Sequence, residues 1–255
     1  MKRIFSLILA SALVTPLAAQ QLPPGLLGGM LKSDKWIVKR DKQQEEFIGN
    51  VSYQSKFYKL KADRAVSDRA KDTFTIFGNT YLMNKDADGK MVEMYSDNAK
   101  FTNFDRKAYA EGGDSMVNII YTVPGEYKID AKGKHAYSNT TVNSLKLWEN
   151  ATMTYTTEDD FIVAFADSFY VNQTGKVIFL EGNVELDNKN YTAFADYMSY
   201  NGFKQLITAE KNYPLFLMDN EDMSGALQAD YVEVKTNTKF VRATGRVRGW
   251  VTPKE

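Results

Sequence analysis

The chain has 255 residues, 44% of them apolar and 25% charged, with 32 basic against 32 acidic side chains and no cysteine. That balance gives no support for nucleic-acid binding, which would need a basic surface. The missing cysteine excludes disulfide staples, thiol catalysis and a lipidated cysteine. A chain of this length can bury a core without disulfides, and its 15 Phe and 15 Tyr, beside many Val, Ile and Thr, favour strands.

Residues 1–19 read as a cleaved secretory signal. Lys2 and Arg3 precede an apolar run from Ile4 to Leu17 that is short for a bilayer span, and Ala18-Ala19 supply small residues for cleavage. Removing them leaves two more acids than bases. Residues 20–32 are rich in Pro and Gly and read as a flexible lead-in.

From 33 to 252 one frame repeats. A small residue and an Asp are followed, sixteen residues on, by Gly-Asn or a variant of it. The copies are Ser33-Asp34 with Gly49-Asn50, Ala62-Asp63 with Gly78-Asn79, and Ser96-Asp97 with Gly112-Gly113. Gly133-Lys134 with Glu149-Asn150 is a weakened fourth. Ala166-Asp167 with Gly182-Asn183, Ala195-Asp196 with Lys211-Asn212, and Ala229-Asp230 with Gly245-Arg246 complete seven. Each copy reads as a hairpin. The fifth is the clearest: alternating arm 166–171, polar turn 172–176, second arm 177–180 closing on Gly182-Asn183.

The frame carries a pattern that was not used to find it. Three residues after each start stand Trp36, Ala65, Ala99, Ala136, Phe169, Met198 and Val232. Fourteen residues after stand Phe47, Ile76, Ala110, Leu147, Leu180, Ala209 and Ala243. All are apolar, and a hairpin turn can bring both sets to one face. No stretch shows a helical period. Seven hairpins about 30 residues apart form a stack whose apolar face must roll up or fold over to be buried.

Few residues suggest chemistry. Asp34, Asp63, Asp97, Asp167, Asp196 and Asp230 could be metal ligands or acids, but read as partners for nearby backbone donors at a strand or turn boundary. Asn50, Asn79, Asn150, Asn183 and Asn212 stand where a turn or bulge would adopt a left-handed conformation. The loop 84–90 mimics the opening of a calcium loop, yet Tyr95 occupies the position that needs a bidentate Glu, so it reads as a hairpin loop. His135 is the only histidine and has no companion for a triad or zinc site. Glu158-Asp159-Asp160 is a carboxylate cluster of the kind that can hydrolyse sugars, but reads as a solvated loop. Neither G-x-S-x-G nor H-E-x-x-H occurs. No catalytic residue, metal or cofactor is expected. Arg242, Arg246 and Arg248 alternate on the last arm, to meet lipid phosphates at an open end or to lie on a solvated face.

Five segments carry a resemblance: FIGNVSY from Phe47, LKADRAVSD from Leu60, FLEGNVEL from Phe179, TAFADYMSY from Thr192 and LQADYVEV from Leu227. Over about 33–251 the chain resembles the OstA-like, LptA-like family of lipopolysaccharide-transport proteins. It is longer than the plainest pattern, and its third and fourth copies are degenerate. The resemblance implies an all-β fold: a repetitive antiparallel hairpin stack forming an open β-jelly roll with a V-shaped groove. It implies a periplasmic, non-enzymatic carrier or bridge that shields the acyl chains of lipopolysaccharide or a similar glycolipid. Implied partners are inner-membrane and outer-membrane transport components of the same family and a head-to-tail homo-oligomer through exposed edge strands, with no nucleic acid. A scaffold that pairs edges without carrying lipid is the alternative. The expected lining is Trp36, Val38, Phe74, Ile76, Phe101, Leu147, Phe169, Val171, Ile178, Leu180, Met198, Ile207, Val232 and Val234. An acyl chain burying around ten methylenes on such a surface gains about 8 kcal/mol, at about 0.8 kcal/mol each.

Overall fold

The computed structural model describes residues 29–254 apart from Asn103, Asp159, Asp160, Asn220, Asp222 and Lys239, so the signal segment 1–19 and most of the lead-in lie outside the described residues. The described chain is all-β, save one 3-10 turn at Arg40–Lys42. Its strands are β1 (Met30–Lys32), β2 (Lys35–Lys39), β3 (Gln44–Gln54), β4 (Tyr58–Asp68), β5 (Thr73–Lys85), β6 (Met91–Thr102) and β7 (Lys107–Glu111). Then come β8 (Val117–Val123), β9 (Tyr127–Gly133), β10 (His135–Asn139), β11 (Ser144–Thr156), β12 (Phe161–Asn172), β13 (Val177–Asn188) and β14 (Tyr191–Asn201). The last six are β15 (Leu206–Glu210), β16 (Leu215–Asp219), β17 (Met223–Gln228), β18 (Tyr231–Lys235), β19 (Phe240–Thr244) and β20 (Arg248–Pro253).

The pairing resolves these strands into fourteen rungs laid side by side. β3 to β6 and β11 to β14 are each one long rung. The other six rungs are split in two: β1 with β2, β7 with β8, β9 with β10, β15 with β16, β17 with β18, and β19 with β20. Both halves of a split rung pair with the same continuous neighbour or with the matching halves of the next split rung. Every pair is antiparallel, as short turns between successive rungs require. Each rung therefore has two legs. Leg A holds β2, the N-terminal half of β3 and everything in line with them. Leg B holds β1, the C-terminal half of β3 and its continuation.

The Asp and Gly-Asn of the repeat mark the bend between the legs. The arms were expected to end there, but β12 runs on through Asp167 and β13 through Gly182-Asn183, so the frame sits in mid-strand. In β13 the register slips between Glu181 and Val184, leaving Gly182-Asn183 opposite the single Asp196, which is a β-bulge. The same slip occurs at Gly49-Asn50 opposite Asp63, at Gly78-Asn79 opposite Asp97 and at Glu149-Asn150 opposite Asp167. All these bulge residues have positive φ, including the Asn residues expected to be left-handed. A pair of such residues suits Gly and Asn, which lack the steric penalty or offset it with local hydrogen bonds.

The Asp on the preceding rung locks each bend. Asn50 donates to Asp34 at 2.8 Å, Asn79 to Asp63 at 2.9 Å, Asn183 to both oxygens of Asp167 at 3.1 and 3.2 Å, and Asn212 to Asp196 at 3.4 Å. The degenerate copies keep the contact with other donors. Asp97 accepts from the Asp114 amide at 3.1 Å, and Asp230 accepts from the Arg246 amide and guanidinium at 2.8–3.0 Å. Where Lys134 replaces Asp, its backbone amide bonds the Glu149 carbonyl and its ammonium reaches the Gly113 carbonyl. The six Asp residues are thus a structural spine; where backbone donors at a strand or turn boundary were expected, four of them accept from Asn side chains, and all sit at a bend. At Gly182 the carboxylate of Asp167 lies so close that an added Cβ would overlap it.

The stretch read as a lead-in ends in structure: Met30–Lys32 pairs with the far end of β3 as the leg B half of the first rung.

Candidate functional site

The fourteen apolar positions picked out by the frame form one unbroken ladder on leg A. Trp36 faces Phe47, which faces Ala65, then Ile76, Ala99, Ala110 and Ala136. The line continues through Leu147, Phe169, Leu180, Met198, Ala209, Val232 and Ala243. Every step is a directly opposed cross-strand pair, the unit in which sheet side chains pack. Two residues nearer the turns runs a second ladder, from Val38 through Phe74, Phe101, Val171, Ile178, Ile207 and Val234 to Val241, interrupted by Glu45, Ser67, Ser138 and Tyr200.

All fourteen residues expected to line a groove lie on these two ladders. Ile76, Leu147, Phe169, Val171, Ile178, Leu180, Met198, Val232 and Val234 are buried; Phe74, Phe101 and Ile207 are half-buried. Trp36 and Val38 are exposed, at 62% and 51%. Trp36 stacks on Phe47 with ring centroids 6.0 Å apart and its other face uncovered by any rung.

Leg B supplies an opposing wall absent from the expected lining. Leu31, Tyr53, Leu60, Leu82, Met94, Ile119, Ala131 and Met153 follow one another in register, then Ala164, Leu186, Ala193, Phe216, Leu227 and Gly249. The remaining steps are equally direct. The two legs share one core from Phe47 to Ala209, and a smaller cluster around Ala229, Val232 and Val234 begins beyond it. The signal for leg B lay in the alternation continuing outside the frame, as in Ala62, Leu60 and Tyr53.

The interior is therefore closed in mid-stack and open at its ends. At the last rung Val241 is 46% exposed, whereas Val234, opposite it on the preceding rung, is buried, and Val251 is 64% exposed. Along the middle the ladder narrows to small side chains, Ala99, Ala110 and Ala136, with Ala108 and Ser138 beside them. There a crevice with room for about one water molecule lies against Met94, Phe101 and Leu145. It falls in the two degenerate repeats, where bulky residues are missing.

Of the ladder positions only Glu45 is charged, and it pairs with Arg69. Glu46 sits between Lys39 at 2.8 Å and Arg64 at 2.7 Å, whose hydrogen bonds hold its carboxyl below the usual range. Arg246 does the same for Asp230. Burial pushes the phenols of Tyr58, Tyr127 and Tyr200 up, so they stay neutral. His135 stacks on Trp148 at 5.2 Å and lies 3.5 Å from Glu149. In the loop read as a hairpin, Asp86 spends its oxygen on the amides of Asp88 and Lys90, at 3.0 and 2.8 Å. Of Glu158-Asp159-Asp160, the two Asp residues lie outside the described residues. Among the described residues no cluster of three His, Asp or Glu side chains could hold a metal.

No protein-family model matches the chain, and no curated protein matches it. Among solved structures it is similar to LptH, "the LptA homologous periplasmic component of the conserved lipopolysaccharide transport device from Pseudomonas aeruginosa". The identity is 8%, over 88% of this chain and 95% of that one, with a TM-score of 0.23. At that score the two backbones do not superpose closely, and the reading that follows rests on the ladders of this chain.

Proposed function

We propose that this protein is a periplasmic, non-enzymatic carrier or bridge that shields the acyl chains of lipopolysaccharide or a similar glycolipid between its two legs. The observation that carries the proposal is the leg A ladder from Trp36 to Ala243 facing the leg B ladder from Leu31 to Gly249, without a charged residue on either and with no rung beyond their ends among the described residues. An enclosed sandwich core has no need of uncapped apolar ends. Trp36, Val38, Val241 and Val251 remain in water unless something covers them, and each buried methylene of a covering chain is worth about 0.8 kcal/mol. The sequence motifs that resemble the OstA-like family point to the same client. A lipid enters at an end and separates legs that are otherwise in contact.

The test is lipid extraction of the purified full chain followed by mass spectrometry, with photo-crosslinkers at Phe169 on leg A and Met153 on leg B. Glycolipid that co-purifies and crosslinks at both positions is the expected result. Co-purified lipid that labels neither position would overturn the groove assignment, and a chain that binds no lipid would leave the scaffold reading in its place.

A further inference from the structure

Among the described residues both terminal rungs have free edges. β1 and β2 pair only with β3, β19 only with β18, and β20 only with β17. The last rung runs from leg A to leg B and the first from leg B to leg A, so a second copy could add its first rung as an antiparallel neighbour. Extending both inner ladders by one step fixes the register: Ala243 would face Trp36 of the added copy and Gly249 would face Leu31. On the outer face that register sets Arg248 directly opposite Lys32, and Arg242 opposite Ile37 between Lys35 and Lys39. Like charges placed opposite one another destabilise a strand pair.

Nothing on these rungs offsets the repulsion. Lys32, Lys35 and Arg248 have no ion pair among the described residues, while Lys39 serves Glu46 and Arg242 is 4.0 Å from Glu233. The acids of the first rung and its turn are Asp34, bonded to Asn50, and Asp41. β19 and β20 carry none. Arg246 and Lys254, which flank β20, are bound to Asp230 and Asp219.

We propose that the last rung, β19–β20, pairs with the acidic edge strands of a different protein and not with the first rung of a second copy. The proposal specifies the partner within the bridge reading, but it stands on edge geometry and charge alone. The free backbone groups call for a strand. Val241, Ala243 and Val251 call for apolar residues facing inward on that strand, and Arg242 and Arg248 call for acids facing outward.

The experiment is sedimentation velocity of the full chain at low ionic strength, where surface charges are least screened. Wild type is expected to remain a single small species. R242E/R248E gives the last rung an acidic face that matches the basic first rung, and is expected to form head-to-tail stacks at least tenfold more readily, dissolving as salt is added. R242Q/R248Q, which removes charge without adding acid, is expected to stack less than R242E/R248E. Wild type that stacks by itself overturns the proposal, as does failure to stack by both R242E/R248E and R248E alone, the latter leaving the Arg242–Glu233 pair in place. So does wild type that binds vesicles of anionic phospholipid through these arginines while R242E/R248E fails to stack, since a membrane surface would then be the occupant. Co-purified lipid is read separately on the same samples, so failure of the carrier reading shows independently.

Discussion

Replacing Gly182 with Ala should test whether the Asp-to-bulge contact fixes the bend. Gly182 has φ +77° and Asp167 packed over it; Gly125 has φ +75° and nothing within 4 Å of the site of a Cβ. Both substitutions place Ala in left-handed backbone, at about 1 kcal/mol. Gly125→Ala should cost about that and no more. Gly182→Ala must also push the Asp167 carboxylate away from Asn183, losing about 1 kcal/mol of hydrogen bonding. Residual crowding adds about another 1 kcal/mol, for a total of about 3 kcal/mol. Asp167→Ala alone should cost about 1 kcal/mol. The double substitution removes the overlap, so its cost should be about 2 kcal/mol instead of the additive 4, a coupling of about 2 kcal/mol. Urea denaturation followed by circular dichroism measures all four variants. Equal losses for Gly182→Ala and Gly125→Ala, or an additive double mutant, would show that Asp167 does not hold the bend.

Position along the stack should set the response to truncation. Leu180→Ala, in the closed middle, should cost about 2–5 kcal/mol, whereas Trp36→Ala at the open end should cost under about 1 kcal/mol and yet reduce co-purified lipid. Similar destabilisation by both would mean that the first rung is as tightly packed as the middle. Acid should loosen the first rung early. The folded carboxyl of Glu46 titrates below its unfolded value of about 4.3, so its contribution is complete above that value and is lost as pH falls through the lower, folded one. The protection of the β2 amides, taken relative to the intrinsic exchange rate at each pH, should fall over that range in wild type and stay nearly constant in Glu46→Gln; an identical profile in both would remove Glu46 as the cause. Crowding the middle of the stack with Ala110→Leu should cost about 1–3 kcal/mol by overpacking and lower the lipid recovered per folded chain; unchanged recovery would place the lipid elsewhere.

The sixteen-residue frame was legible because its chemistry is strict. Two successive left-handed residues call for Gly and Asn, and the carboxylate above them calls for Asp. The register of leg A followed, since Phe169 and Leu180 are equidistant from their turn. Leg B was not legible from the same count. Alternation slips by one at each Asp: Ala166 and Phe169 both face inward with Asp167 and Ser168 between them, as do Ala62 and Ala65 around Asp63 and Arg64. A period of two carried through the bend assigns the wrong face. Nor does the pattern disclose depth. Leu180 and Trp36 occupy the same ladder, and only the number of rungs on either side makes one core and the other surface. The outer aromatic pairs, Tyr109 with Tyr137 at 4.7 Å and Tyr170 with Phe179 at 6.1 Å, carry no mark of the frame at all.

Fourteen rungs at about 4.8 Å each place the two ends of the inner ladder about 60 Å apart. Each step along that distance meets the next through the same kind of apolar pair, so for the proposed carrier no single station is much deeper than its neighbour. For the proposed carrier such a track would offer a chain a similar apolar surface from one step to the next. It would hold several short chains in file, and a newcomer at one end would shift those ahead of it without any of them entering water. Occupancy should then rise with lipid supply beyond one per protein, and release at the far end should depend on arrival at the near one.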